Sequence, residues 1–189
     1  RQAIQEGINT SDIAASDLAG LPTADMDMEL GNHFFMPNQE GYEDHSVAFD
    51  PEKAKADIEA LGYTMNDSTG IYEKDGQPLE IKYLRLPDTP TSANEGAMLQ
   101  TQMADIGVKI TFDDTTSDEF FSRIMAGEYE IVSFSWQGTP YPMANVGQIY
   151  GKPDGTNSNF TGLEVPEIDE YVTKIATETD NAERIKLTN

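Results

Sequence analysis

The chain has 189 residues, 38% of them hydrophobic and including 8 Phe, 8 Tyr and 1 Trp, which is enough to fill the core of one substantial domain. Its 34 acidic against 12 basic side chains give a formal net charge of -22, a field that repels phosphate backbones and anionic headgroups and so argues against nucleic-acid or membrane-surface binding. The lack of Cys excludes disulfides, thiolate zinc sites and Cys nucleophiles, and no run reaches the ~18 apolar residues of a membrane span.

Arg1-Gln2-Ala3-Ile4-Gln5-Glu6 reads as helix from the first residue, with neither initiator Met nor N-cap, and Asn181 to Leu187 runs into the C-terminus with no Gly or Pro stop. Both ends lead to the expectation of a piece excised from a longer protein. Asn9-Thr10-Ser11-Asp12 supplies caps for a second short helix with Ile13 and Leu18 inward, closed by Gly20. From Leu21 to Ser46 the chain turns to Pro, Gly, Asn, Asp and Met without a period, the pattern of a long surface excursion.

Asp50-Pro51-Glu52-Lys53 is a strong helix start: the Asp accepts orphan N–H groups, Pro fits the first helical position and Glu suits the positive dipole end. That helix runs through Ala54, Ile58 and Leu61 to Gly62. Ile71 to Lys74, then Asp75-Gly76, then Leu79 to Leu84 predicts a hairpin whose turn supplies positive φ, with the second strand central. Ala97, Leu99, Met103 and Ile106 keep helical spacing up to Gly107, and Val108 to Phe112 reads as a strand. Ser117 or Asp118 caps a helix ended by Gly127, and a strand follows from Tyr129 to Trp136. Strand, helix, strand, helix, strand is the order of parallel crossover units. A Gly/Pro/Asn/Tyr stretch from Gly138 to Asn159 precedes a last helical pair opened by Pro166-Glu167-Ile168-Asp169, and no linker divides the chain.

These pieces, in this order, resemble the family of oligopeptide-, dipeptide- and nickel-binding proteins that serve ABC importers, the extracellular solute-binding proteins of family 5. The resemblance is carried by Arg1-Gln2-Ala3-Ile4, by Asp50-Pro51-Glu52-Lys53-Ala54 with Leu61-Gly62-Tyr63, by Lys74-Asp75-Gly76-Gln77-Pro78-Leu79 and by Gln102 to Val108. Phe120 to Trp136, Asn159-Phe160 and Pro166 to Asp169 complete it. Each motif alone is common; their order and spacing are specific. The resemblance implies an α/β fold of the type II periplasmic-binding-protein kind, a central mixed sheet flanked by helices, with residues 1–189 forming a single C-terminal lobe. Family members are well over twice this length and close two lobes on a ligand. The implied function is capture of oligopeptides or dipeptides outside the cell and delivery to an ABC permease, by a monomer that is lipid-anchored or periplasmic and has neither cofactor nor catalytic residue. Two alternatives share the fold: a non-peptide solute such as a glycan, lipid-linked sugar or metal chelate, and a regulatory paralogue without transport.

In a parallel α/β sheet the ligand crevice lies beyond the carboxyl ends of the strands, which directs attention to the residues after Leu84 and after Trp136. Trp136 precedes Gln137-Gly138-Thr139-Pro140-Tyr141, so its ring can wall a cleft while the Gly138 to Tyr141 backbone pairs with an extended ligand; a Trp merely covering the sheet end is the competing reading. In peptide-binding relatives the third residue after this Trp is often an Asp that pairs with the ligand's α-ammonium, and here it is Thr139. Arg85, Arg123 (at the family's helical Arg position) and Asn159 complete the candidate ligand set. Each Arg can offer a fork to a carboxylate, against the commoner alternative of a local ion pair in so acidic a chain. His33 and His45 among Glu40, Glu43 and Asp44, and Met26, Met28 and Met36, match no compact metal motif and read as loop residues, so no metal is expected. Asp113 with Asp114, and Asp25, Asp27 and Glu29, are adjacent carboxylates of the kind 34 acids produce by number, and no nucleophile elbow, phosphate loop or dinucleotide fingerprint is present.

Overall fold

The computed structural model describes residues 1–22 and 29–189, which fall into two compact units. The first comprises Arg1–Glu29, Val47–Ser122 and Tyr129–Phe134, and the second Leu30–Ser46, Arg123–Glu128 and Ser135–Asn189.

In the first unit, α1 (Gln2–Glu6) forms without a side-chain cap, and α2 (Thr10–Asp17) and α3 (Pro51–Ala60) form where their caps predict them. Asn9 accepts from the Asp12 N–H at 3.3 Å, and Asp50 accepts from the Lys53 N–H at 2.9 Å. Strands β1 (Thr64–Asn66), β2 (Ile71–Lys74) and β3 (Gln77–Pro78) make an antiparallel sheet in the order β1-β2-β3. Asp75 and Gly76 both take positive φ, 53° and 73°, as the predicted tight turn demands.

The predicted hairpin partner of β2 divides in two. Gln77 and Pro78 stay with β2, while β4 (Glu80–Arg85) enters a parallel sheet. Leu79 is the junction: its N–H donates to the Tyr72 carbonyl at 2.7 Å and its own carbonyl accepts from the Lys109 N–H at 2.9 Å. The crossover units follow as α4 (Pro90–Asp105), β5 (Lys109–Asp114), α5 (Ser117–Ala126) and β6 (Ile131–Val132), with strand order β5-β4-β6. β4 is therefore central, as expected, and Tyr83 lies opposite Phe112 on one side and Ile131 on the other. Two differences stand against the expectation: antiparallel and parallel pairing segregate into separate sheets, and of the strand expected over Tyr129 to Trp136 only Ile131–Val132 pairs.

The core of this unit gathers Ala54, Ile58, Tyr72, Tyr83, Leu99, Met103, Ile106, Val108 and Ile110, all buried. Each large aliphatic side chain there contributes about 1.5–3 kcal/mol relative to exposure. Gly107 ends α4 at φ 75°, and a Cβ on it would lie 2.6 Å from the Tyr72 ring, so the position requires glycine twice over. Burial pushes the Tyr72 phenol up to about 12, with the Glu59 carboxylate that it hydrogen bonds at 2.7 Å adding to the rise.

In the second unit, residues 30–46 hold no helix or strand. Buried Asn32 fastens this excursion: its Oδ1 accepts from the Phe34 and Phe35 N–H groups, both at 2.9 Å, and its Nδ2 donates to the Glu43 carbonyl and to Asn189. A 3-10 turn (Pro142–Asn145) leads into α6 (Val146–Tyr150), and α7 (Pro166–Thr177) packs against α6 and α8 (Asn181–Thr188).

Candidate functional site

The segment after Trp136 is built by contacts within the second unit. The Trp136 ring stacks on Phe160, with centroids 5.9 Å apart and planes 7° from parallel, and still leaves 49% of the residue exposed. Gly138 passes close to Met36: a Cβ there would lie 2.6 Å from the Met36 methyl. Gln39 donates through Nε2 to the Thr139 carbonyl at 2.9 Å and accepts from the Met36 N–H at 2.8 Å, tying this loop to the excursion. The Thr139 hydroxyl accepts from the Tyr141 N–H at 3.3 Å and from Asn145 Nδ2 at 3.4 Å. Tyr141 projects, 77% exposed.

Asn159 serves its own loop. Its Nδ2 donates to the carbonyls of Gly151 and Leu163 at 2.8 and 3.1 Å, and its Oδ1 accepts from the Thr161 N–H and hydroxyl at 3.2 and 2.6 Å. With both donors and both lone pairs used, the side chain fixes the loop that carries Phe160. A cavity of 460 Å³ opens in the same unit, with Phe35, Met143 and Ile185 as apolar walls and Glu40, Tyr141 and Arg184 as polar ones.

The two arginines of the candidate set are held by carboxylates. In the first unit, Arg85 grips Asp114 with two parallel bonds of 2.8 and 3.0 Å and lies 3.7 Å above the Phe112 ring; the Asp114 hydrogen bond holds the guanidinium above its ordinary value. In the second, Arg123 reaches Glu128, with its Nε 3.9 Å from the carboxylate and its Nη2 donating to the carbonyl at 3.2 Å.

The sequence pattern for bacterial extracellular solute-binding proteins, family 5 Middle, matches residues 1–158. This chain belongs to that family. The oligopeptide-binding protein OppA of Mycobacterium tuberculosis is 35% identical over 192 residues, covering 100% of this chain and 31% of the relative, so the chain spans about a third of the length of such curated relatives. Among solved structures, the oligopeptide-binding protein AppA of Bacillus subtilis, in complex with a nonapeptide, superposes with a TM-score of 0.77 at 14% identity, covering 98% of this chain and 37% of that one. MelB of Agrobacterium fabrum, in complex with stachyose, gives 0.76 at 22% identity, covering 100% and 30%. These likenesses show the type II periplasmic-binding-protein fold expected from the sequence. The family is one of extracellular or periplasmic binding proteins rather than of enzymes.

Several residues singled out by sequence have structural tasks in this family member. His33 stacks on and hydrogen bonds Tyr150, and His45 lies 3.9 Å from Glu43. Glu29 accepts from the Thr10 hydroxyl at 2.6 Å, while Asp25, Met26, Asp27 and Met28 lie outside the described residues. Among the described residues no helix is long and apolar enough to cross a membrane.

Sequence reasoning missed two groupings. Glu95, Ser133 and Tyr83 form a hydrogen-bonded chain where the parallel strands end. Arg184 enters the cavity from a helix read only as the chain's terminus, and a basic residue three positions after Asn181 on that helix was the sole signal.

Proposed function

We propose that residues 1–189 are one lobe of a two-lobed substrate-binding component of an ABC importer, which captures oligopeptides or similarly elongated solutes outside the cell and delivers them to a membrane permease. Identity with an oligopeptide-binding protein along the whole chain is the observation that carries this reading. The half-exposed Trp136 face, braced by Phe160, supplies an apolar wall, and the Gly138 to Tyr141 backbone supplies hydrogen-bonding groups for an extended ligand. Binding energy then comes from backbone pairing and aromatic contact, and lobe closure selects the liganded state. The full-length protein works as a monomer, lipid-anchored or periplasmic.

Thr139 favours a second reading within the same fold. No carboxylate stands at this position to pair with a peptide ammonium, and the Thr139 hydroxyl is occupied by Tyr141 and Asn145. A neutral solute such as a glycan, packed on the indole face, needs no such carboxylate, and the stachyose-bound structure shares the fold.

Native mass spectrometry of the full-length protein purified from its own source separates the two. A distribution of short peptide masses is the expected result. A sugar or metal-chelate mass keeps the fold and overturns the peptide assignment.

A further inference from the structure

Arg184 differs from Arg85 and Arg123 in a chain with 34 acidic and 12 basic side chains. Arg85 and Arg123 each have a carboxylate, and Lys186, on the same helix as Arg184, pairs with Glu183 at 3.5 Å. Among the described residues no ion pair engages Arg184. Its Nε donates to the Ile175 carbonyl at 3.2 Å, a bond that fixes the guanidinium plane while using one of its five N–H donors. The residue is half-buried and lines the 460 Å³ cavity, a volume inside the range of about 300–1,000 Å³ usual for small-molecule sites.

The rest of the lining defines what fits. Phe35, Met143 and Ile185 offer aliphatic and aromatic surface, and Tyr141 stands exposed at the rim. An apolar body is favoured by these walls, and a guanidinium with unused donors favours a planar anion that accepts two of them. Glu40 is the one carboxylate of the lining, exposed and outside ion-pair distance, and it opposes a dianion more than a monoanion.

We propose that this cavity is a binding site for a carboxylate carried on a short branched or aromatic apolar group, the carboxylate on Arg184 and the apolar group against Met143 and Ile185. Two sources present that chemistry: a free organic acid, and the C-terminal residue of a peptide. The site lies wholly within the second unit and does not depend on the transport reading.

The test uses the full-length protein with 4-methylpentanoate as probe and 4-methylpentanamide as its neutral twin, followed by calorimetry and by the Met143 methyl resonance. Saturable binding of the acid is expected, with the amide and the Arg184→Gln variant each weaker by about tenfold, the loss of one charge-assisted contact. Glu40→Gln, at an exposed position, tightens the acid by about threefold through removal of a like charge. An acetylated dipeptide ending in Leu, compared with its C-terminal amide, identifies the source: tighter binding than the free acid assigns a peptide end, weaker binding a free acid, and either order supports the site. Equal affinity for acid and amide, or no saturable response to the acid, overturns the proposal. If Arg184→Gln fails to fold, Glu40→Gln decides, because unchanged or weaker acid binding in that variant refutes an anion site.

Discussion

The Tyr83 phenol lies 2.7 Å from the Ser133 hydroxyl, and Ser133 in turn donates to the Glu95 carboxylate, so a strand, the segment after β6 and α4 share one polar chain. Removal of water pushes the Glu95 carboxyl up from its ordinary value; the nearby Asp17 charge adds to the rise, and the Ser133 hydrogen bond opposes it. A carboxyl whose folded value exceeds its unfolded one gives stability that is complete below the unfolded value and is lost as pH climbs through the folded value. Glu95→Gln keeps the acceptor for Ser133 and removes the charge. Thermal melts should show the variant a few degrees more stable near pH 7 and indistinguishable from the parent at about pH 4. A lower melting temperature near neutrality refutes this account of the network.

Gly96 decides between two opposed rules. In a helix interior, Ala exceeds Gly by about 1 kcal/mol in propensity, which favours Gly96→Ala. Yet a Cβ at Gly96 would lie 2.9 Å from the Tyr83 ring and 3.0 Å from the Arg85 side chain. Arg85 can yield, but Tyr83 is 2% exposed and its hydroxyl is held by Ser133. Overpacking of this kind costs about 1–3 kcal/mol, so the variant should be net destabilised in urea titrations.

Local chemistry made much of the fold legible. The Asp50 cap with Pro51, the Asp75-Gly76 turn and the alternation that puts β4 at the centre each follow from a few neighbouring residues. The split at Leu79 was not legible, because the alternation of Leu79, Ile81 and Tyr83 continues unbroken across the change of sheet; only the Lys109 and Tyr72 hydrogen bonds reveal it. Trp136 stood out as the single Trp before a turn-rich loop. The cavity stayed invisible for a different reason: Phe35, Met143 and Arg184 come from three distant stretches, and no period or motif links them.

Arg85 separates a structural task from a ligand contact. Its side chain is 16% exposed, bonded twice to Asp114 and stacked on Phe112, and Arg85→Ala removes all three contacts. A loss of about 1–2 kcal/mol in denaturant titrations is expected, the sum of a cation–π contact and a two-pronged ion pair at a partly exposed site. Affinity of the full-length protein for an acidic peptide should stay unchanged, since the fork is already filled by Asp114. Weaker peptide binding with unchanged stability would return Arg85 to the ligand site.

Trp136 carries the strongest expectation for ligand contact, and it is the only Trp of residues 1–189. The residue is 49% exposed, so truncation forfeits little core burial, whereas a ligand packed on the open indole surface loses that surface entirely. In the full-length protein, Trp136→Ala should weaken ligand binding by about tenfold or more, near 1.4 kcal/mol, while the melting temperature moves little. Phe160→Ala should cost less, because the indole keeps its place in sequence but loses the ring it stacks on at 5.9 Å. The share of the full-length parent's emission that Trp136→Phe removes should shift to shorter wavelength when ligand covers the ring. An unshifted emission together with unchanged affinity in Trp136→Ala would mean that the indole serves only to cover Phe160, and the cleft wall would then have to be sought among the remaining exposed rings, Tyr141 first.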